Sequence, residues 1–165
     1  IVFNHRAAAY KGYPKFLELM REYRKRRDDF VVWVPQLNGQ SPESWIDNSK
    51  APKHEYYERL QDTMVGIQMR QTNYGWSVSG TDCMMNGTPM VWQESDCYRE
   101  IDPNGLFWNK KVDFFNILDM GEISRVYSPI RITQDEYSDR VNEGIMQMDD
   151  KIEKHMIEEI TKNVS

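Results

Sequence analysis

Tyr74-Gly75-Trp76-Ser77-Val78-Ser79-Gly80-Thr81-Asp82, continued by Met84-Met85-Asn86-Gly87-Thr88-Pro89-Met90-Val91, is the stretch on which the fold is read. It strings together a tight turn, a helix start made of small residues, an acid one short turn in, a Gly-Thr-Pro element and an apolar strand. Such a helix start leaves backbone N–H groups without intrahelical partners and presents the positive end of the helix dipole, which suits a phosphate. Gly75 and Ser77 leave room for a ligand to approach, and the N–H groups of Trp76, Ser77 and Val78 are the candidate donors. Asp82 then lies within reach of a sugar hydroxyl.

Outward from this stretch the chain alternates short apolar runs with amphipathic ones. Strands are expected at 1–4, 30–34, 64–69 and 90–93, with a fifth at 106–108. Helices are expected at 14–27, 54–62, 77–86 and 110–120. Pro14 suits a first helical turn, and Phe16, Leu17, Met20 and Tyr23 fall on one face. Residues 6–12 read as a loop and 38–52 as an excursion rich in Gly, Ser, Asn, Asp and Pro. Alternation of this kind predicts an α/β fold with a parallel sheet. Ligands of such sheets bind at the carboxyl ends of the strands. The loops at 5–12 and 74–77, and the one after Gln93, converge there. Beyond 130 the pattern changes. Thr133-Gln134-Asp135-Glu136 has the form of a capping box. Tyr137, Val141, Ile145, Met148, Ile152, Met156 and Ile160 then recur at helical spacing, which predicts a long C-terminal helical tail.

Composition narrows the function. A chain of 165 residues favours one domain with a real core. A net charge of −5 argues against a general nucleic-acid or membrane-surface binder, while leaving room for a local cationic pocket. Two cysteines, Cys83 and Cys97, make neither a disulfide framework nor a zinc site, and point to a reducing, cytoplasmic setting. No apolar run is long enough for a transmembrane segment. The opening Ile1-Val2-Phe3 is already strand-like and has no initiator Met, so a piece of a longer protein is expected.

Arg6 and Lys11-Gly12 follow the first expected strand. An Arg offers a fork to two phosphate oxygens and a Lys a mobile point charge, and Gly12 lets the backbone turn without steric cost. Solvated loop charges are the plain alternative. His5, beside Arg6, reads as structural or as a phosphate or sugar contact. His54 and His155 have no partners that make a ligand set. Asp28-Asp29, Asp149-Asp150 and Glu158-Glu159 read as solvated faces. No nucleophile elbow, Walker sequence or dinucleotide glycine fingerprint is present.

Arg6-(four residues)-Lys11-Gly12, Gly75-Trp76-Ser77-Val78 and Asp82-(four residues)-Gly87-Thr88-Pro89 together resemble the C-terminal, donor-binding half of GT-B glycosyltransferases of the large retaining family. The acid-containing loop from Glu94 to Glu100-Ile101 belongs to the same pattern. The resemblance covers roughly residues 1–101. It implies a Rossmann-like nucleotide-sugar-binding domain over 1–130, a helical extension over 131–165, and an N-terminal acceptor domain absent from this sequence. It implies that Arg6 and Lys11 stabilise the leaving nucleoside diphosphate and so act in catalysis. Gly12, Tyr74, Gly75, Trp76, Ser77, Val78 and Asp82 would bind the donor, with Asp82 on the ribose and residues 35–37 beside the base. The nucleotide-diphosphate sugar, with UDP as one candidate carrier, is then a substrate, and no cofactor or metal is expected. Two departures stand out. The family's first acid falls at Tyr74, which carries no charge near neutral pH, and Asp82 replaces the commoner Glu. A nucleotide-sugar epimerase of the same fold, or a non-catalytic α/β module with a degenerate site, remain the alternatives.

Overall fold

The computed structural model describes residues 1–71, 77–103 and 105–120. Its strands are β1 (Val32–Trp33), β2 (Ile46–Asp47), β3 (Gly66–Gln68), β4 (Met90–Gln93) and β5 (Leu106–Trp108). Its helices are α1 (Tyr13–Arg24), α2 (Lys53–Gln61), α3 (Val78–Met85), α4 (Asp96–Ile101) and α5 (Lys111–Asp119). The tail beyond residue 120, and with it the expected helical extension, lies outside the described residues.

All strand pairings are parallel: β1 with β2, β3 with β4, and β4 with β5. Residues 1–3 join the two groups. Val2 bridges Trp33 on one side and Gly66 on the other. Its flanking ladder runs from Trp33 N–H to the Ile1 carbonyl (2.8 Å) and from Ile67 N–H to the Val2 carbonyl (2.9 Å). The first segment is therefore central, in the order β2-β1-first segment-β3-β4-β5. Counted along the chain this is 3-2-1-4-5-6, the order of a doubly wound α/β sheet. The α/β class with parallel strands flanked by helices is thus as expected.

The apolar strands are explained by helices on both faces. Phe3, Val34, Ile67 and Val91 belong to one core cluster with Phe16, Met20 and Tyr23 of α1 and Phe114 and Phe115 of α5. Tyr23 stacks on Phe115 with ring centroids 5.6 Å apart, and its hydroxyl donates to Asp119 (2.9 Å), which locks α1 to α5. The alternate strand residues face α3. A Cβ on Gly66 would meet Cys83 Sγ at 3.0 Å, and one on Gly80 would meet the Trp92 ring at 2.5 Å.

The Gly-Thr-Pro element works at the opposite edge from the ligand-binding one. Gly87 takes φ 78° and ends α3. The N–H of Gly87 donates to Met84 (3.1 Å) and that of Thr88 to Cys83 (2.9 Å), a Schellman closure. The buried Thr88 hydroxyl donates to the Leu60 carbonyl (2.5 Å), and the Pro89 carbonyl accepts from Gly66 N–H (2.8 Å). This element sets the entry of β4.

Candidate functional site

The strand order reverses between the first segment and β3, and the crevice above their carboxyl ends is where such sheets take ligands. Three polar assemblies occupy this edge.

The first is buried. Gln68, at the end of β3, donates from its amide to the Met69 carbonyl (2.9 Å) and the Tyr98 hydroxyl (2.8 Å). Its Oε1 therefore faces the first loop and α3. It accepts from Ser77 Oγ at 2.6 Å and from His5 Nε2. The network assigns the His5 proton to Nε2, since Gln68 Oε1 can only accept. Burial, with a smaller contribution from the Lys11 charge, holds His5 down at about 4 against its hydrogen bond to Gln68, which pulls the other way. His5 is a neutral structural donor here, packed edge-on to Phe3.

Ser77 is the N-cap of α3, its hydroxyl accepting from Gly80 N–H at 3.0 Å. Its side chain is thus committed to the protein on both sides. Val78, by contrast, begins the helix with its side chain 61% exposed. Tyr74, Gly75 and Trp76 lie outside the described residues.

The second assembly links three segments. Asn4 Nδ2 donates to the Tyr56 hydroxyl (2.9 Å) and to the Ser79 carbonyl (2.7 Å). The Tyr56 hydroxyl donates in turn to Asp82 Oδ2 (3.1 Å). Burial pushes the Asp82 carboxyl above its ordinary range, partly offset by the Tyr56 hydrogen bond and the nearby Lys53 charge. Burial likewise raises Tyr56, so its hydroxyl stays protonated.

The third is a cavity of about 750 Å³ beside the first segment and β1. Arg6, Tyr10, residues 35–38, Lys50 and Tyr56 line it, and among the described residues no carboxylate does. Its walls are tied down. Gln36 donates to the Asn4 carbonyl (3.0 Å), Asn48 to Gly39 (2.8 Å), and Trp33 Nε1 to Ser49 (2.9 Å). Arg59 pairs with Asp47, bonds Ser49 Oγ (2.7 Å) and lies over the Trp33 ring at 4.2 Å. The excursion expected at 38–52 therefore contains a strand, β2, and forms one side of a fixed pocket.

The two expected phosphate cations separate in their surroundings. Arg6 is exposed on the cavity wall and forms no ion pair among the described residues. Lys11 reaches toward the β3 side, donating to Gln71 Oε1 at 2.6 Å. Gly12 takes φ 77° as the N-cap of α1, and a Cβ there would meet Met69 Cβ at 2.5 Å. It turns the chain where α1 presses on the end of β3. The loop after Gln93 also reaches this edge, since Gln93 Oε1 accepts from Arg70 N–H (2.9 Å). That loop leads into a helix, α4, which the sequence reading left out, and Glu94 is engaged by Arg99 at 2.5 and 2.7 Å.

Asn4, Lys50, Tyr56 and Gln68 were not singled out from sequence. Asn4 and Gln68 carried a usable signal, a polar residue at the carboxyl end of an apolar strand. Lys50 and Tyr56 carried none, because only the fold brings them to the pocket. Among the described residues no three His, Cys, Asp or Glu side chains cluster as metal ligands would, and no helix is long and apolar enough to cross a membrane. Family models and curated proteins give no match to this chain.

Proposed function

We propose that this chain binds a nucleoside diphosphate sugar, as the donor-binding half of a GT-B glycosyltransferase. The observation that supports the reading is the cavity beside the first segment and β1, whose lining holds no carboxylate among the described residues, with Arg6 on its wall and Tyr56 tied to Asp82. In a protein of net charge −5, a fixed pocket whose charged lining residues are Arg6 and Lys50 favours an anionic ligand. The diphosphate would lie against Arg6 and Lys11, the ribose toward Asp82, and the base between residues 35–38 and Lys50. Glycosyl transfer would then draw on fixed cations and the start of α3 to stabilise the departing diphosphate, an electrostatic contribution that needs no metal. The acceptor and any base would come from a second domain closing over this edge.

Substitution of the cations tests the assignment. Arg6→Ala or Lys11→Ala should weaken nucleoside diphosphate binding by about 1.5–3 kcal/mol, the scale of a charged hydrogen bond. Calorimetric titration reads this directly, with thermal melting as the check on folding. Unchanged affinity in both variants would remove the diphosphate from this edge.

A further inference from the structure

We infer that the cavity is a two-anion site. It takes a ligand whose two phosphate-like groups are held apart by an uncharged, sugar-sized body, one group against Arg6 and the other against Lys50. The inference goes beyond the nucleotide reading, which gives Arg6 an anionic partner and Lys50 none. Both side chains line the cavity, both are exposed, and neither forms an ion pair among the described residues. They are the charged members of that lining.

Strand order keeps the two cations apart. Arg6 follows the first segment and Lys50 follows β2, and β1 lies between those two strands. Neighbouring strands are roughly 4.8 Å apart, so the two chains leave the sheet from points about 10 Å apart. Residues 35–38, which follow β1, leave it between them and carry no charge. Tyr56 spends its proton on Asp82, and Gln36 spends its amide on the Asn4 carbonyl (3.0 Å). Positive charge is thus held at two ends of the lining. The Lys50 end is anchored, because the neighbouring Ser49 accepts from Trp33 Nε1 at its carbonyl (2.9 Å) and from Arg59 at its hydroxyl (2.7 Å). A volume of about 750 Å³ suits a drug-sized ligand rather than a single phosphate. Like charges in one cavity repel, and a second anionic group relieves the cation that the first leaves uncompensated. Arg6 can fork onto two oxygens of one group, and Lys50 can meet the other as a point charge.

The experiment is calorimetric titration of the full chain with two matched pairs of probes. One pair is fructose 1,6-bisphosphate and fructose 6-phosphate; the other is adenosine 3′,5′-bisphosphate and AMP. In at least one pair the wild type should prefer the bisphosphate by about tenfold or more, the scale of one hydrogen bond to a charged group. The pair that shows it tells a sugar body from a nucleoside one. Lys50→Gln should bring that ratio close to one, and Lys50→Arg, which keeps the charge, should preserve it. Thermal melting checks that both variants fold. If both cations closed on one phosphate, the monophosphate would bind as tightly as the bisphosphate, and that result overturns the inference. A ratio unchanged in Lys50→Gln, or no binding of any of the four probes, overturns it as well. A nucleoside diphosphate that binds while both ratios stay near one overturns this inference and spares the nucleotide reading.

Discussion

Burial leaves His5 neutral at physiological pH despite its bond to Gln68, and this gives the residue scale its test. His5 stands at about 4 when folded, against an ordinary 6.5. Between these values the unfolded chain binds the extra proton, so stability rises with pH across that window. The contribution is complete above about 6.5 and is lost as the pH falls through 4. Its upper size is on the order of 3 kcal/mol. Urea melts at pH 7 and pH 4.5 should show this acid sensitivity in the wild type and a clearly smaller one in His5→Gln, which can still donate to Gln68. Equal acid sensitivity in both proteins would mean that other groups govern the loss. The same reasoning removes His5 as a phosphate ligand, because a neutral, buried donor committed to Gln68 has no charge to offer.

At the scale of the element, Gly12 joins the first loop, α1 and the end of β3. A left-handed φ of 77° excludes most side chains, and the 2.5 Å approach of any Cβ to Met69 excludes the rest. Gly12→Ala should therefore destabilise the fold by roughly 1–3 kcal/mol, combining backbone strain with overpacking. Thermal denaturation of the unliganded protein checks it. A variant with unchanged stability and lost ligand affinity would instead make Gly12 a ligand-approach residue. The elements also show what could be read from sequence. β4 and β5 were placed to the residue, because each is an apolar run bounded by Gly, Pro or Asn. α1 was overextended to residue 27, since the cationic run after Tyr23 continues a helical pattern that the fold ends at Arg24. β2 was missed because a two-residue strand held by parallel pairing to β1 leaves no periodic trace among Ser, Pro and Asp. α4 was missed because six residues are too few for an amphipathic signal. Ser77 was placed at a helix start from its spacing, but that spacing could not show that its hydroxyl turns inward to Gln68.

The whole molecule is organised by a reversal of strand order around residues 1–3. The chain leaves this central segment through α1 to β1 and β2, and then crosses back through α2 to β3 on the segment's other side. The polar groups at that edge sort by depth. Gln68, His5 and Ser77 are buried and mutually satisfied, Asp82 and Tyr56 are half-buried, and Arg6 is exposed on the cavity wall. Such a gradient satisfies the polar groups at the sheet edge internally and leaves Arg6 open to solvent. An acidic chain is compatible with the proposed anionic ligand, because the cavity lining carries Arg6 and Lys50 and, among the described residues, no carboxylate. Isothermal titration of the protein with UDP, GDP and ADP, first without and then with magnesium, tests this account most directly. The account predicts saturable, metal-independent binding of one of the three, lost in Arg6→Ala. Binding that appears only with magnesium, or that survives Arg6→Ala undiminished, would contradict it.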